Sequence, residues 1–320
     1  MPRDTGGCRA ASFTCPRLLL AAYAVLSVAA SGTAEARETV LEPDGPWAID
    51  YAEQKCRLAR FFGMGEDRSI LLFEQCEPRE VADLTAAGAP LRRLAVSPTL
   101  KVLVGPGDTQ VWQRTGRGRT KLEGYGPAVW TSFTAPSTWI SRSSPAGVGE
   151  ESDAAASTGS PQAREGLPHI RAEEFTGTDR LTLEGPKDRV TFLVGGLSAA
   201  LAALNNCAVD LLASWDLDPE KQKTITAKAR PLNLDEIREG MQKGYPVEAA
   251  RRGERGYFSL RIIVNEDGTI GDCALTNATS VEYLRSNACE VFGDRAMFAP
   301  AQDASGNPIK SFYTTTVAYH

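Results

Sequence analysis

From Gly256 to Val264 the hydrophobic and polar positions alternate: Phe258, Leu260, Ile262 and Val264 fall on one side of a strand, and Tyr257, Ser259 and Arg261 on the other. Asn265-Glu-Asp-Gly268 then reads as a hairpin turn, because Asp-Gly accepts the positive φ that such turns require, and Thr269 to Thr276 returns antiparallel. Ser280 is placed to cap a helix whose inward face carries Leu284, Ala288, Val291 and Phe292, while Met297 to Ala301 and Ile309 to Tyr319 complete the sheet. Ahead of these strands, Pro246 suits the first turn of a short helix through Val247 and Ala250 that Gly253 stops. Helices on one face of an antiparallel sheet make residues 245–320 a small α+β domain.

Upstream the period is that of strands. Trp47 to Tyr51 alternates, and Cys56 to Phe62 and Ser69 to Phe73 flank a glycine-rich turn at Gly63-Met-Gly-Glu-Asp67. Leu91 to Val104, Thr109 to Gln113 and Ala128 to Phe133 add short strands between Gly and Pro punctuation, and Arg180 to Leu183 and Val190 to Val194 add two more. The period then changes. Ser198 can cap a long helix with Leu201, Leu204, Ala208, Leu211, Leu212 and Trp215 on one face, ended by Asp216 and Pro219. The layout predicted is a β-rich domain with one long helix over 37–220, a connector over 221–244 with a short helix around Asp235 to Met241, and the α+β domain over 245–320. Within the first domain, residues 141–168 are rich in Ser, Ala, Gly, Pro and Glu and lack the large apolar residues that would offset the entropy of ordering. They are expected to be a disordered surface insertion.

A length of 320 residues at 42% hydrophobic content suits two domains. The net charge of -5 argues against a nucleic-acid surface, which needs a clustered basic excess. The dense basic run Arg114 to Lys121 contains Gly116 and Gly118 and reads as a hairpin tip. At the N-terminus Arg3, Arg9 and Arg17 precede an apolar run from Leu18 to Ala30, and Ala34-Glu-Ala36 supplies a small-x-small cleavage pattern. Residues 1–36 therefore read as a signal peptide cleaved after Ala36. The apolar run falls short of the roughly 20 residues of a comfortable membrane span. The alternative is an uncleaved anchor, the one route by which this chain would associate with a membrane.

Cys56, Cys76, Cys207, Cys273 and Cys289 remain after cleavage, and export permits disulfides. Cys273 on a strand and Cys289 on the covering helix are expected to form a disulfide, two buried free thiols being the alternative. In the first domain Cys56 with Cys207 ties the opening hairpin to the long helix and leaves Cys76 over; the rival is Cys56 with Cys76 across the hairpin. Catalytic and cofactor motifs are missing. The two histidines, His169 and His320, sit where no rigid base can be held, and no H-E-x-x-H, metal-spaced Cys/His set, calcium loop or C-x-x-C occurs. Gly63-x-Gly65, Gly105-x-Gly107 and Gly116-x-Gly118 lack the rest of a phosphate-binding pattern, and Glu173-Glu174 and Asp216 with Asp218 read as solvated surface. No metal, cofactor or enzymatic activity is expected, an uncharacterised periplasmic enzyme being the remote alternative.

Tyr245-Pro246, the strand Gly256 to Val264, Asp267-Gly268, Phe298-Ala-Pro300, Asp303, Gly306 and the final β-rich run occur in an order that resembles the C-terminal domain of the TonB energy-transducer family. The first domain, with Cys56-Arg-Leu-Ala-Arg-Phe-Phe-Gly63 and Cys207-Ala-Val-Asp-Leu-Leu-Ala-Ser-Trp215, looks similar to the N-terminal regions of uncharacterised alphaproteobacterial TonB-domain proteins. The resemblance implies a periplasmic protein-binding module, whose partner is an outer-membrane or periplasmic protein such as a TonB-dependent receptor. In that family the terminal strand pairs with an extended segment of a transport receptor, a case of strand addition. Carried over by position, the candidate partner-binding residues are Tyr245, Pro246, Ile309, Phe312, Tyr313, Val317 and Tyr319. Family transducers keep an N-terminal anchor bearing a histidine and a long proline-rich spacer. Residues 18–34 have no histidine, and a β domain replaces the spacer. The resulting expectation is an adaptor-like binding protein of the periplasm, with an inner-membrane-anchored energy transducer as the alternative.

Overall fold

The structure, a computed structural model, describes residues 37–97, 99–105, 110–114, 119–122, 124–138, 166–278 and 287–319. The signal segment, the basic tip at 115–118, residues 141–165 of the expected insertion, Ser280 with Leu284, and His320 lie outside these residues. Residues 36–320 form one compact unit of α+β structure.

The first part of the chain supplies β1 (Arg37–Leu41), β2 (Pro43–Ala52), β3 (Lys55–Phe62), β4 (Ser69–Gln75), β5 (Val81–Gly88), β6 (Leu100–Val104), β7 (Gln110–Arg114), β8 (Arg119–Leu122), β9 (Gly126–Thr134), β10 (Arg180–Glu184) and β11 (Asp188–Leu193). They form a six-stranded antiparallel sheet in the order β2-β3-β4-β5-β9-β8 and a five-stranded sheet in the order β1-β11-β10-β6-β7. β1 joins the second sheet parallel to β11, a pairing that alternation alone does not reveal. Both sheets and the long helix α1 (Leu197–Ser214) share one core. Aromatic edges lock it: Phe62 meets Phe192 across the sheets at 5.1 Å between ring centroids, and Phe73 meets Phe133 at 4.8 Å. By length and composition α1 could cross a membrane, yet Leu201, Leu204, Leu211 and Leu212 are buried in this core. Cys207 on α1 is bonded to Cys56 on β3, and Cys76 is the free cysteine among the described residues. Burial raises the Cys76 thiol pKa, so little of it is thiolate at neutral pH.

Three local expectations are corrected. The stretch from Leu91 is not strand at its start: Pro90 sits in the 3-10 turn Ala89–Leu91, a second 3-10 turn follows at Leu94–Val96, and the strand begins at Leu100. Helix α1 is entered from Gly196, in the left-handed region at φ 75°, so Ser198 lies inside the first turn instead of capping it. Pro219 does not end α1; it opens the next helix, α2 (Pro219–Lys223), where Asp218 caps by accepting from the Glu220 and Lys221 N–H groups.

The remaining elements are β12 (Ile225–Ala227), β13 (Arg230–Pro231), α3 (Leu234–Lys243), α4 (Val247–Arg252), β14 (Gly256–Val264), β15 (Ile270–Ala278), α5 (Ala288–Arg295), β16 (Phe298–Ala299), β17 (Ala301–Asp303), β18 (Pro308–Ile309) and β19 (Ser311–Tyr319). β15, β14 and β19 make the main sheet in that order, and β12-β17-β18 and β13-β16 make two small ones. The connector expected at 221–244 is folded into this part: Ala229, Ile237 and Met241 bury with Leu260, Ile262 and Val264 of β14 and Val291 and Phe292 of α5. A disulfide between Cys273 and Cys289 fastens β15 to α5. At the β14–β15 turn Gly268 has φ +82°, and a Cβ there would lie 2.4 Å from the Phe298 carbonyl oxygen, so only glycine fits without displacing backbone.

The second face of the main sheet is also covered in part. Ile263 belongs to the core of the first sheets, and Phe312 packs edge-on against Trp215 at 5.7 Å. Arg261, on the face opposite Phe258, Leu260, Ile262 and Val264, is 3% exposed. Its guanidinium lies 4.3 Å from the Trp215 ring and donates to Gln54 Oε1 at 2.7 Å and to Asp272 Oδ2 at 2.8 Å.

Candidate functional site

β19 carries the β-branched run Thr314-Thr-Thr-Val317 between aromatic residues, a composition that favours a pleated strand. It pairs with β14 over nine register positions, from Gly256↔Tyr319 to Val264↔Ser311, and with no other strand among the described residues. Its outer edge therefore presents backbone N–H and C=O groups at alternate residues without a ladder partner.

The two faces of β19 are anchored differently. On the helix side Tyr313 meets Phe298 at 5.5 Å, and Val317 packs into the same cluster. Tyr319 stacks on Tyr245 at 5.0 Å and meets Phe258 at 5.9 Å. The Tyr245 hydroxyl donates to the Glu254 carbonyl, and Pro246 is the capping residue of α4. Tyr245 and Pro246 thus hold the start of α4 against the end of β19. Burial, followed by the neighbouring Tyr245, raises the Tyr319 hydroxyl pKa. On the other side Phe312 lies against Trp215 and Thr314 donates to Glu77 Oε1, whereas Thr316 and Ala318 are exposed. Tyr245, Phe312, Tyr313, Val317 and Tyr319 are brought together on or beside one strand. Ile309 is not: Lys310 separates it from β19, and it pairs with Ala301 in the small sheet.

Sequence reasoning missed the contacts on the second face of this sheet: Trp215 and Glu77 against β19, and Gln54 and Trp215 against Arg261 of β14. The adjacent pair Ile262-Ile263 was the available signal, since consecutive apolar residues in a strand bury both faces. Glu77 Oε2 is buried without a partner, and burial raises the Glu77 pKa against the opposing pull of Arg79 and Thr314. An acid whose folded pKa lies above its unfolded value holds more protons when folded, so the folded state loses stability as pH rises between the two values. Glu77→Gln is expected to stabilise the chain at neutral pH by about 1 kcal/mol. Urea midpoints measured from acid to neutral pH should converge below the ordinary carboxylate value and separate above it; parallel curves would remove the assignment.

The groups considered for chemistry sit apart and are occupied. Glu174 accepts from the Ser137 N–H and hydroxyl and pairs with Arg171, Asp216 pairs with Lys310 at 2.7 Å, and exposed His169 lies 2.9 Å from the Leu167 carbonyl oxygen. Among the described residues no cluster of three His, Cys, Asp or Glu side chains is arranged to hold a metal ion.

Residues 241–320 match the family model of the Gram-negative bacterial TonB protein C-terminal, so the last quarter of the chain is a TonB-type C-terminal domain. The match starts at Met241 within α3 and includes all of β14, β15 and β19. No curated protein and no solved structure matches the chain.

Proposed function

We propose that this chain is an exported cell-envelope binding protein whose TonB-type domain takes up an extended segment of an outer-membrane or periplasmic protein on the outer edge of β19. The observation that carries this reading is the one-sided pairing of β19. An added strand would satisfy the unpaired backbone groups, while the exposed side chains at Thr316 and Ala318 would set preference along it. A receptor of the TonB-dependent class is the partner type the family match favours. The first sheets take the place of a spacer, which supports an adaptor in the periplasm over an anchored transducer.

A photo-crosslinking residue at Ala318 tests the idea in intact cells, with one at the exposed Val40 on the edge strand β1 as control. Capture of an outer-membrane or periplasmic protein from position 318 and not from 40 is the expected result. Equal capture from both positions, or none from 318, removes the proposal. Mass spectrometry of the native N-terminus distinguishes the exported form, beginning at Arg37, from an anchored one.

A further inference from the structure

The first sheets and α1 meet the second face of the β15-β14-β19 sheet along one seam. Its apolar part is small: among the described residues of the main sheet, Ile263 and Phe312 alone join the first core, Phe312 lying against Trp215 at the end of α1. Its polar part includes Arg261 against Gln54 and the Trp215 ring, Thr314 on Glu77, and Lys310 on Asp216. A cleft of about 700 Å3 already runs along it, between the β2–β3 turn, the last turns of α1, and β14 and β15.

Three features mark this seam as a joint. Among the described residues, five buried side-chain nitrogen or oxygen atoms have no hydrogen-bond partner within the chain: Trp215 Nε1, Arg261 Nε, Glu77 Oε2, Gln75 Oε1 and Arg79 Nε. The first three belong to residues that meet across the seam, and the other two flank Glu77 in the turn that carries it. Each is a hydrogen bond that the closed form forgoes and that water supplies once the seam parts. Next, each disulfide stays on its own side, since Cys56–Cys207 joins β3 to α1 and Cys273–Cys289 joins β15 to α5. Lastly, the chain passes from one side to the other between α1 and α2, where Asp216 has φ 56°, the one positive value at a non-glycine residue among the described residues.

We propose that the first sheets and the TonB-type part are a hinged pair, described here in its closed form, that opens about Asp216–Asp218 and uncovers the second face of β14 and β19. A junction with few apolar groups and several unmet polar ones is the kind across which parts of a chain move, and a few residues at the end of an element suffice as the hinge. Opening gives up the contacts of Ile263 and Phe312 but wets five unpartnered groups. The two forms therefore lie close in free energy, with the open one populated at about 0.1 to 10%. It presents Trp215, Ile263 and Phe312 as an apolar surface beside β19. This motion needs no strand addition at the outer edge of β19 and stands apart from that reading.

Single-molecule energy transfer on the full chain tests the hinge, with dyes on azide-bearing residues at Met64, 82% exposed, and at the exposed Glu266 in the β14–β15 turn. These positions lie on opposite sides of the seam and leave the native cysteines untouched. A second distance, in exchange with that of the closed form, is expected. Trp215→Ala removes the ring shared by Phe312 and Arg261 and should raise the ratio of open to closed molecules about tenfold. Thr314→Val removes the donor to Glu77 and should raise it about threefold, and it decides alone if Trp215→Ala does not fold. A rise in either variant, with parental far-UV circular dichroism and both disulfides intact, upholds the hinge. One unvarying distance in the parent and the folded variants, a second population that no folded variant changes, or one that appears only with loss of the dichroism overturns it.

Discussion

Replacing Cys56 and Cys207 together by alanine should lower the unfolding free energy by about 5 kcal/mol, the largest stability effect expected of any pair in the chain. The two residues are 151 apart in sequence and their Cα atoms are 5.9 Å apart, so the bond removes a very large loop from the unfolded ensemble. It also fixes α1 to β3 at a place where both cysteines are fully buried, and the lost sulfur contacts add to the cost. The Cys273/Cys289 pair closes a separation of 16 residues, and its replacement should cost about 3 kcal/mol by the same reasoning. Urea unfolding of both double variants beside the parent, under non-reducing conditions, checks the order. A larger loss from the short loop than from the long one would show that native-state contacts, not chain entropy, dominate. Peptide mapping of the non-reduced protein supplies the connectivity independently, and a crosslinked Cys56–Cys76 peptide would contradict the fold described.

The largest effect on binding should come from a single proline on β19. Successive residues of a strand direct their backbone groups to opposite sides, so of Thr315 and Thr316 one N–H bonds to β14 and the other faces the open edge. Proline removes the donor and puts a ring where an added strand would lie. One of Thr315→Pro and Thr316→Pro should therefore retain the parental unfolding midpoint and lose partner affinity by about thirtyfold, roughly 2 kcal/mol. The other should instead lower the midpoint by breaking the ladder with β14. The photo-crosslinked partner, once isolated, provides the ligand for this measurement. Retention of full affinity by the stable variant would exclude the β19 edge as the binding surface.

The contrast between these two strands, β14 and β19, shows what the sequence reveals. Alternation places Phe258, Leu260, Ile262 and Val264 on one buried face because that pattern depends only on the period of a strand. It leaves Arg261 on the opposite face, and opposite is not the same as exposed. Whether a second layer covers that face depends on residues more than 200 positions upstream, such as Gln54, which local periodicity does not sense. Trp215 was legible as a core residue of α1 but not as the shelf for a cation, since the partner comes from another sheet. The final strand was legible as β structure, yet its break at Lys310 was not. There the Lys310 carbonyl accepts from Gln222 Nε2 and its ammonium pairs with Asp216, two tertiary contacts that end β18 and start β19. The one-sided pairing of β19 also rests on strand order, which the hydrophobic pattern alone does not fix.

The ladder between β14 and β19 has nine positions and is the sole sheet attachment of the last strand among the described residues. A pull directed along β19 loads those pairs in shear, so all of them bear the force together. A pull across the strand opens them one at a time, beginning at the end. The arrangement is therefore mechanically directional: the same strand is a firm handle for a partner drawing lengthwise and a weak seam for one drawing sideways.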